Sequence, residues 1–194
     1  MLQPNILVLA GSTRTGSFNR KLAGLALLAA KSAGAAANEL DLSMFDLPVY
    51  NGDLEEQKGL PESVVEIKKS FFNCNGFIFC SPEYNGSVSA LLKNTVDWAS
   101  RPVKDDPELS VPFKNKTALL LAASPGALGG LRGLSHLRTI LTNLGVIVMP
   151  GQMALPQAHQ AFDGNGKLLD QEKQAKLEGL VSEFVTMTGR LSTV

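Results

Sequence analysis

The chain has 194 residues, 44% of them hydrophobic, and its 18 basic and 18 acidic residues give a formal net charge of zero. That length suits a single domain, residues 1–194, with a full core. Without a basic run, nucleic acid and anionic membrane are poor partners, and no stretch reaches the roughly 20 apolar residues of a membrane span.

The first predicted element is a strand, Asn5–Ala10, too short and too lacking in basic residues to be a secretory leader. It runs into the polar loop Gly11-Ser12-Thr13-Arg14-Thr15-Gly16-Ser17-Phe18-Asn19, and a helix is predicted from Ser17 to Ala33. Asn38–Leu42 reads as the second strand and residues 43–60, with Pro48, Asn51-Gly52 and Gly59, as a loop. Pro61 suits a first helical turn, and Val64, Ile67 and Phe71 then recur at helical spacing. Gly76–Ser81 is apolar on successive residues, as a strand covered on both faces should be.

Cys74 and Cys80 flank that strand at a spacing that matches no zinc or redox motif. They read as core thiols of a cytoplasmic protein. Further helices are expected at Val88–Ser100 and Arg132–Leu144, the latter closed by Gly145. Further strands are expected at Lys116–Ala123 and Val146–Met149. Residues 150–170 form a loop with a turn at Asp163-Gly164-Asn165-Gly166, and Gln171–Leu191 is the last helix. His136 and His159 stand apart, so no metal site is expected.

Strands alternating with helices predict an α/β fold. The expected architecture is a doubly wound, flavodoxin-like parallel sheet of five strands, order 2-1-3-4-5, with helices on both faces. Ligands of such sheets lie beyond the carboxyl ends of the strands, near the switch between the first and third. The loop after the first strand offers four hydroxyls, one amide and one guanidinium at a helix N-terminus, where free N–H groups favour an anion. Gly11-x-x-x-x-Gly16 is not followed by Lys, which argues against a triphosphate. Thr13 stands where a dinucleotide fingerprint needs its second Gly. A single dianionic phosphate fits best. The loop after the third strand is Ser81-Pro82-Glu83-Tyr84-Asn85-Gly86, with an aromatic ring. The loop after the fourth, Ser124-Pro125-Gly126-Ala127-Leu128-Gly129-Gly130, is open to close approach. A flat heteroaromatic ligand with a phosphate tail, flavin mononucleotide (FMN), fits all three.

Gly11-Ser12-x-Arg14-x-x-Ser17-x-Asn19-Arg20, Ser81-Pro82-Glu83-Tyr84-Asn85 and Leu92-Lys93-Asn94-x-x-Asp97-Trp98 together resemble the NAD(P)H-dependent FMN reductase family, in its chromate, quinone and azo-dye reductase branch. The resemblance implies bound FMN and a homodimer or a pair of dimers. It implies that Ser12, Arg14, Ser17 and Asn19 hold the phosphate, that Pro82, Glu83, Tyr84 and Asn85 line the isoalloxazine, and that Ser124 and Gly126 meet its far edge. No catalytic side chain is expected, because the sequence shows no nucleophile–base set or carboxylate pair. The chemistry belongs to the cofactor. NADH or NADPH would pass hydride to FMN, and a quinone, azo compound, free flavin or oxidised metal ion would take it in a ping-pong cycle. A non-enzymatic flavodoxin-like carrier or a flavin-binding regulatory protein is the alternative, and the neutral charge disfavours an acidic carrier. Glu83 is expected to be solvated or to pair with a neighbour rather than act as an acid, and Lys93 and Asp97 to form a surface pair. The dimer is expected to use the helices at Val88–Ser100 and Arg132–Leu144, through Val88, Leu91, Leu92, Val96 and Trp98.

Overall fold

The computed structural model describes residues 3–104 and 106–192. Strand β1 (Asn5–Ala10) leads to helix α1 (Phe18–Ser32), β2 (Ala36–Leu40), α2 (Gly52–Lys58), α3 (Glu62–Phe72) and β3 (Gly76–Cys80). A short pair, β4 (Glu83–Tyr84) and β5 (Ser87–Val88), precedes α4 (Ala90–Ala99), β6 (Thr117–Ala123), α5 (Leu131–Asn143), β7 (Ile147–Leu155) and α6 (Gln171–Leu191). The main sheet is parallel throughout, in the order β2-β1-β3-β6-β7. This is the flavodoxin-like winding expected, with the β4–β5 hairpin inserted between its third and fourth strands.

Both sheet faces are covered. Ile6, Val8, Ile78, Leu119 and Leu121 pack under α1 and α6, which contribute Leu22, Ala26, Leu177, Val181 and Phe184. Leu7, Leu9, Phe77, Phe79 and Leu120 pack under α3, α4 and α5, which contribute Ile67, Phe71, Leu92, Val96, Leu134 and Leu137. Alternate residues of one strand thus enter opposite cores, which is why β3 and β6 are apolar at nearly every position.

The structure departs from the sequence reading in four places. Strand β2 lies two residues earlier than Asn38–Leu42. Its alanines carry little β preference, and its two buried residues, Ala37 and Leu40, enter opposite cores and so leave no alternating pattern to read. The supposed loop 43–60 contains α2. It has no buried residue and hence no stripe to detect, but Asn51 caps it through Asp53 N at 2.8 Å and Gly59 (φ 72°) ends it. The helix expected from Val88 starts at Ala90, because Asn85-Gly86 closes a hairpin in which Glu83 faces Val88 and Tyr84 faces Ser87. Both turn residues have positive φ, 51° and 79°, the pattern of the tight turn that Asn-Gly favours.

Finally, the last strand does not stop at Met149. Met149, Pro150 and Gly151 bulge out opposite Leu119, and pairing resumes with Gln152 beside Leu120 and continues to Leu155. An edge strand tolerates Pro in this way. Much of the expected 150–170 loop is therefore strand, and it forms a wall beside the loop after β6.

Candidate functional site

The loops after β1, β3 and β6 meet at one edge of the sheet and are bonded to one another. Gly11 N donates to Cys80 O at 2.9 Å, and Ser89 Oγ donates to Gly11 O at 2.6 Å. A Cβ at Gly11 would stand 3.0–3.1 Å from Leu92 Cβ, Ser89 Oγ and Pro82 Cδ, so a side chain there would push these neighbours aside, and glycine lets the first loop pass close to α4. Ser81 N donates to Leu121 O at 2.8 Å, and Ser124 N to Leu155 O at 3.1 Å.

In the first loop Thr13, Arg14, Thr15 and Gly16 are exposed. Ser12 Oγ accepts from Arg14 N at 3.3 Å, Arg14 O accepts from Ser17 N at 3.1 Å, and Ser17 Oγ accepts from Arg20 N as the cap of α1. Among the described residues, the N–H groups of Thr13, Thr15, Gly16 and Phe18 have no intramolecular acceptor. They sit at the positive end of a 15-residue helix, beside hydroxyls and one guanidinium. That donor set fits a phosphate monoester. Arg14 lies over the Phe18 ring, its guanidinium carbon 5.8 Å from the centroid. Phe18 in turn stacks on Phe162, with centroids 6.2 Å apart and planes 4° from parallel.

Asn19 belongs to the same motif but faces the interior. It is buried, and its amide makes two bonds with one residue: Nδ2 donates to Ala123 O at 2.8 Å and Oδ1 accepts from Ala123 N at 2.9 Å. Arg20 points the other way, to Asp41 at 2.7 Å beyond β2.

The hairpin after β3 is a rigid wall. The buried Glu83 carboxylate accepts from Arg132 Nε at 2.8 Å and from the N–H groups of Arg132 and Gly133 at 3.1 and 3.2 Å, capping α5. Burial works to raise this carboxyl, but the Arg132 and Gly133 hydrogen bonds and the Arg132 charge outweigh it and hold it below the usual carboxylate range. Of the two alternatives, solvation and pairing, the structure shows pairing, and the Glu83 side chain is committed to α5. Pro82 is half-buried, while Tyr84 and Asn85 are exposed at the tip. His136 Nδ1 lies 2.9 Å from Ser87 Oγ, a second tie between α5 and the hairpin. In the third loop Ser124 Oγ accepts from Gly126 N at 3.3 Å and Gly126 is exposed, while Gly129 and Gly130 are packed against the β7 end and Ala122.

The apolar residues expected to build a dimer face do not stand free. Leu92, Val96 and Trp98 are 1–2% exposed in the chain's own core, and Val88 and Leu91 pack against it. Trp98 also donates from Nε1 to Pro48 O at 2.8 Å. The large apolar side chains exposed near the loops are instead Tyr84, Leu128 and Leu131. Lys93 and Asp97 form the expected surface pair at 2.7 Å.

Sequence reasoning missed Ser89, which locks the first loop to α4, and Phe162, which backs Phe18. The first carried a signal, a serine at a helix N-cap; the second lay in a loop whose partner was 144 residues away, between Phe18 and Phe162 (162 − 18). No helix among the described residues is long and apolar enough to cross a membrane.

A family model described as NADPH-dependent FMN reductase matches residues 4–160. The chain is 34% identical to an NAD(P)H-dependent FMN reductase of Pseudomonas aeruginosa over 174 residues, 89% of each chain. It is 33% identical to a quinone reductase of Escherichia coli over 181 residues, 92% of each. Among solved structures, a flavoenzyme NAD(P)H:(acceptor) oxidoreductase from Paracoccus denitrificans superposes with a TM-score of 0.81 at 29% identity, covering 96% of this chain and 98% of that one.

Proposed function

The chain belongs to the NADPH-dependent FMN reductase family, and on that premise we propose that the edge formed by Gly11–Asn19, Ser81–Ser89 and Ser124–Gly130 binds FMN and admits reductant and acceptor in turn. The protein is an oxidoreductase that works with FMN and takes its electrons from NAD(P)H. The observation that carries the assignment of the site is the first loop, whose N–H groups and polar side chains at the start of α1 are open to a phosphate.

FMN, when bound, supplies the two-electron chemistry for which the site offers no side chain. The residues bind and orient. Arg14, with Ser12, Ser17 and the free N–H groups, holds the phosphate by charge-assisted bonds. The backbone of Pro82–Asn85 and the Tyr84 ring, stiffened by Glu83 on α5, form one wall for the isoalloxazine. Ser124 and Gly126 form the far edge. The exposed edge of these loops would admit NADH or NADPH and then the acceptor at one place, so the first product would leave before the acceptor enters, in a ping-pong cycle. A quinone is the first acceptor to try, with azo compounds, free flavin and oxidised metal ions as others. A homodimer or dimer of dimers, with Tyr84, Leu128 and Leu131 in or beside the contact, would cover what the chain leaves exposed at this edge.

The test is direct. FMN added to the purified protein should be retained with a perturbed visible spectrum, and NADH or NADPH oxidation should depend on added benzoquinone. Double-reciprocal plots at several quinone concentrations should be parallel. Intersecting lines would refute the shared place, and loss of FMN on gel filtration would refute the site.

A further inference from the structure

Asn19 sits in the phosphate-binding motif, but its geometry points elsewhere. Its amide carries the same C=O and N–H as a peptide group, and it uses both on the N–H and C=O of Ala123, the last residue of β6. The reason lies in the neighbouring strand. Along β3 the ladder to β6 ends where Ser81 N meets Leu121 O, because beyond Ser81 the chain turns at Pro82 into the hairpin and Glu83, whose N–H would make the next rung, is carried away from β6. Ala123 would then face two unmet backbone groups in a buried place. The Asn19 side chain supplies the missing rung from 104 residues away.

Ala123 leads directly into Ser124, whose N–H goes to Leu155 O and whose O accepts from Ala158 N. On the other side, Ser17 caps α1 two residues before Asn19. A single buried amide thus joins the loop that would hold the phosphate to the loop that would meet the ring edge.

We propose that Asn19 is a positioning residue that couples these two loops, rather than a phosphate ligand; this rests on the proposed FMN site. Loss of the amide releases the end of β6 and with it the ring-edge loop, so the isoalloxazine loses its fit whether or not a phosphate is attached. A phosphate ligand would behave differently, mattering for FMN and not for riboflavin, which lacks the phosphate.

The experiment compares the affinity of the apoprotein for FMN and for riboflavin in the native chain, Asn19→Ala, Asn19→Ser and Arg14→Ala. The Asn19 variants should bind both flavins about tenfold more weakly, as expected for two lost buried bonds, with the ratio between flavins held within about threefold. The visible circular dichroism of bound riboflavin should change as well. Arg14→Ala should weaken FMN alone. If the Asn19 variants lose FMN and keep riboflavin, Asn19 is a phosphate ligand and the proposal fails; it fails too if neither flavin is affected. If Arg14→Ala leaves the ratio untouched, the phosphate site itself is wrong, a separate result. Should neither Asn19 variant fold, the native apoprotein answers alone. Inorganic phosphate should slow amide exchange at Ala123, Ser124 and residues 126–130, and unchanged exchange there would overturn the coupling.

Discussion

The loops after β1 and β3 lie side by side at the same sheet edge and use their polar groups in opposite ways. The first leaves Thr13, Arg14 and Thr15 exposed, and a Cβ at Gly16 would meet nothing within 4 Å. The second turns its charge inward: Glu83 is fixed to α5, Ser89 to Gly11, and Asn85-Gly86 closes a tight turn. The glycine-rich loop after β6 resembles the second at its end, where Gly129 and Gly130 are packed solid. The proposed binding loop and its supporting walls are thus told apart by where hydrogen bonds end, since all three are rich in Gly or Pro. On this division, changes at the exposed tip of the first loop alter ligand affinity and spare stability, whereas changes at the packed residues of the walls cost stability.

The largest effect should come from the third loop. Gly129 has φ 63°, and a Cβ there would lie 2.7 Å from backbone atoms of Leu155 and Pro156, which no rotamer can clear. Gly129→Ala should cost about 3 kcal/mol of stability or more, combining left-handed strain with overpacking. Gly126, three residues earlier, has ordinary φ and only Ser124 Oγ at 3.7 Å as neighbour, so Gly126→Ala should stay within about 0.5 kcal/mol. Urea unfolding of both apoproteins measures the contrast, and equal losses would remove it.

Arg14→Ala is the counterpart in the first loop. A charge-assisted bond of roughly 1.5–3 kcal/mol corresponds to an FMN affinity about 10- to 100-fold weaker. Arg14 is exposed, and its one ring contact is with Phe18, so the unfolding midpoint of the apoprotein should hardly move. Unchanged titration with FMN would place the phosphate elsewhere.

Glu83→Gln should again shift the balance to stability, by about 1–2 kcal/mol, since the amide cannot serve Arg132 and the α5 N–H groups as the carboxylate does. The sign in pH follows from its lowered carboxyl. The stabilisation is fully present above the unfolded carboxyl value, about 4.3, and is lost as pH falls through the lower folded value. The gap between native and variant stability should therefore be constant near neutrality and shrink below about pH 4. A gap that persists in acid would show that shape, not charge, holds the hairpin.

Much of this arrangement was legible because the strands are continuous apolar runs and the three motifs stand at strand ends. The doubly wound sheet followed from the alternation with helices, and its order from there being five strands and no sixth. What was hidden depended on contacts distant in sequence. Nothing local marks the Asn19 amide as a rung for Ala123, and a motif asparagine beside a phosphate loop reads naturally as a ligand. Helix α2 was missed because it has no buried face, and the extension of β7 because Pro150-Gly151 looks like an end when it is a bulge on an edge strand. The Asn85-Gly86 hairpin was missed as well, although its dipeptide carries a local turn signal.

The smallest predicted effect tests how Arg14 is aimed. Phe162 arrives from beyond β7, where its bridge to the buried Leu168 holds the chain, and Lys21 Nζ lies 5.6 Å from its ring. Its ring backs Phe18, and Phe18 lies under the Arg14 guanidinium. Phe162→Leu keeps the apolar volume but removes the flat partner, so Phe18 loses its stacking and Arg14 part of its orientation. A cation–ring contact at an exposed site amounts to about 0.5–1 kcal/mol, which limits the loss of FMN affinity to about two- to fivefold, with riboflavin affinity unchanged. Titration with both flavins separates the outcomes. A loss as large as that of Arg14→Ala would make Phe162 part of the binding site itself. A loss shared by riboflavin would mean that the stack supports the ring walls rather than the phosphate loop.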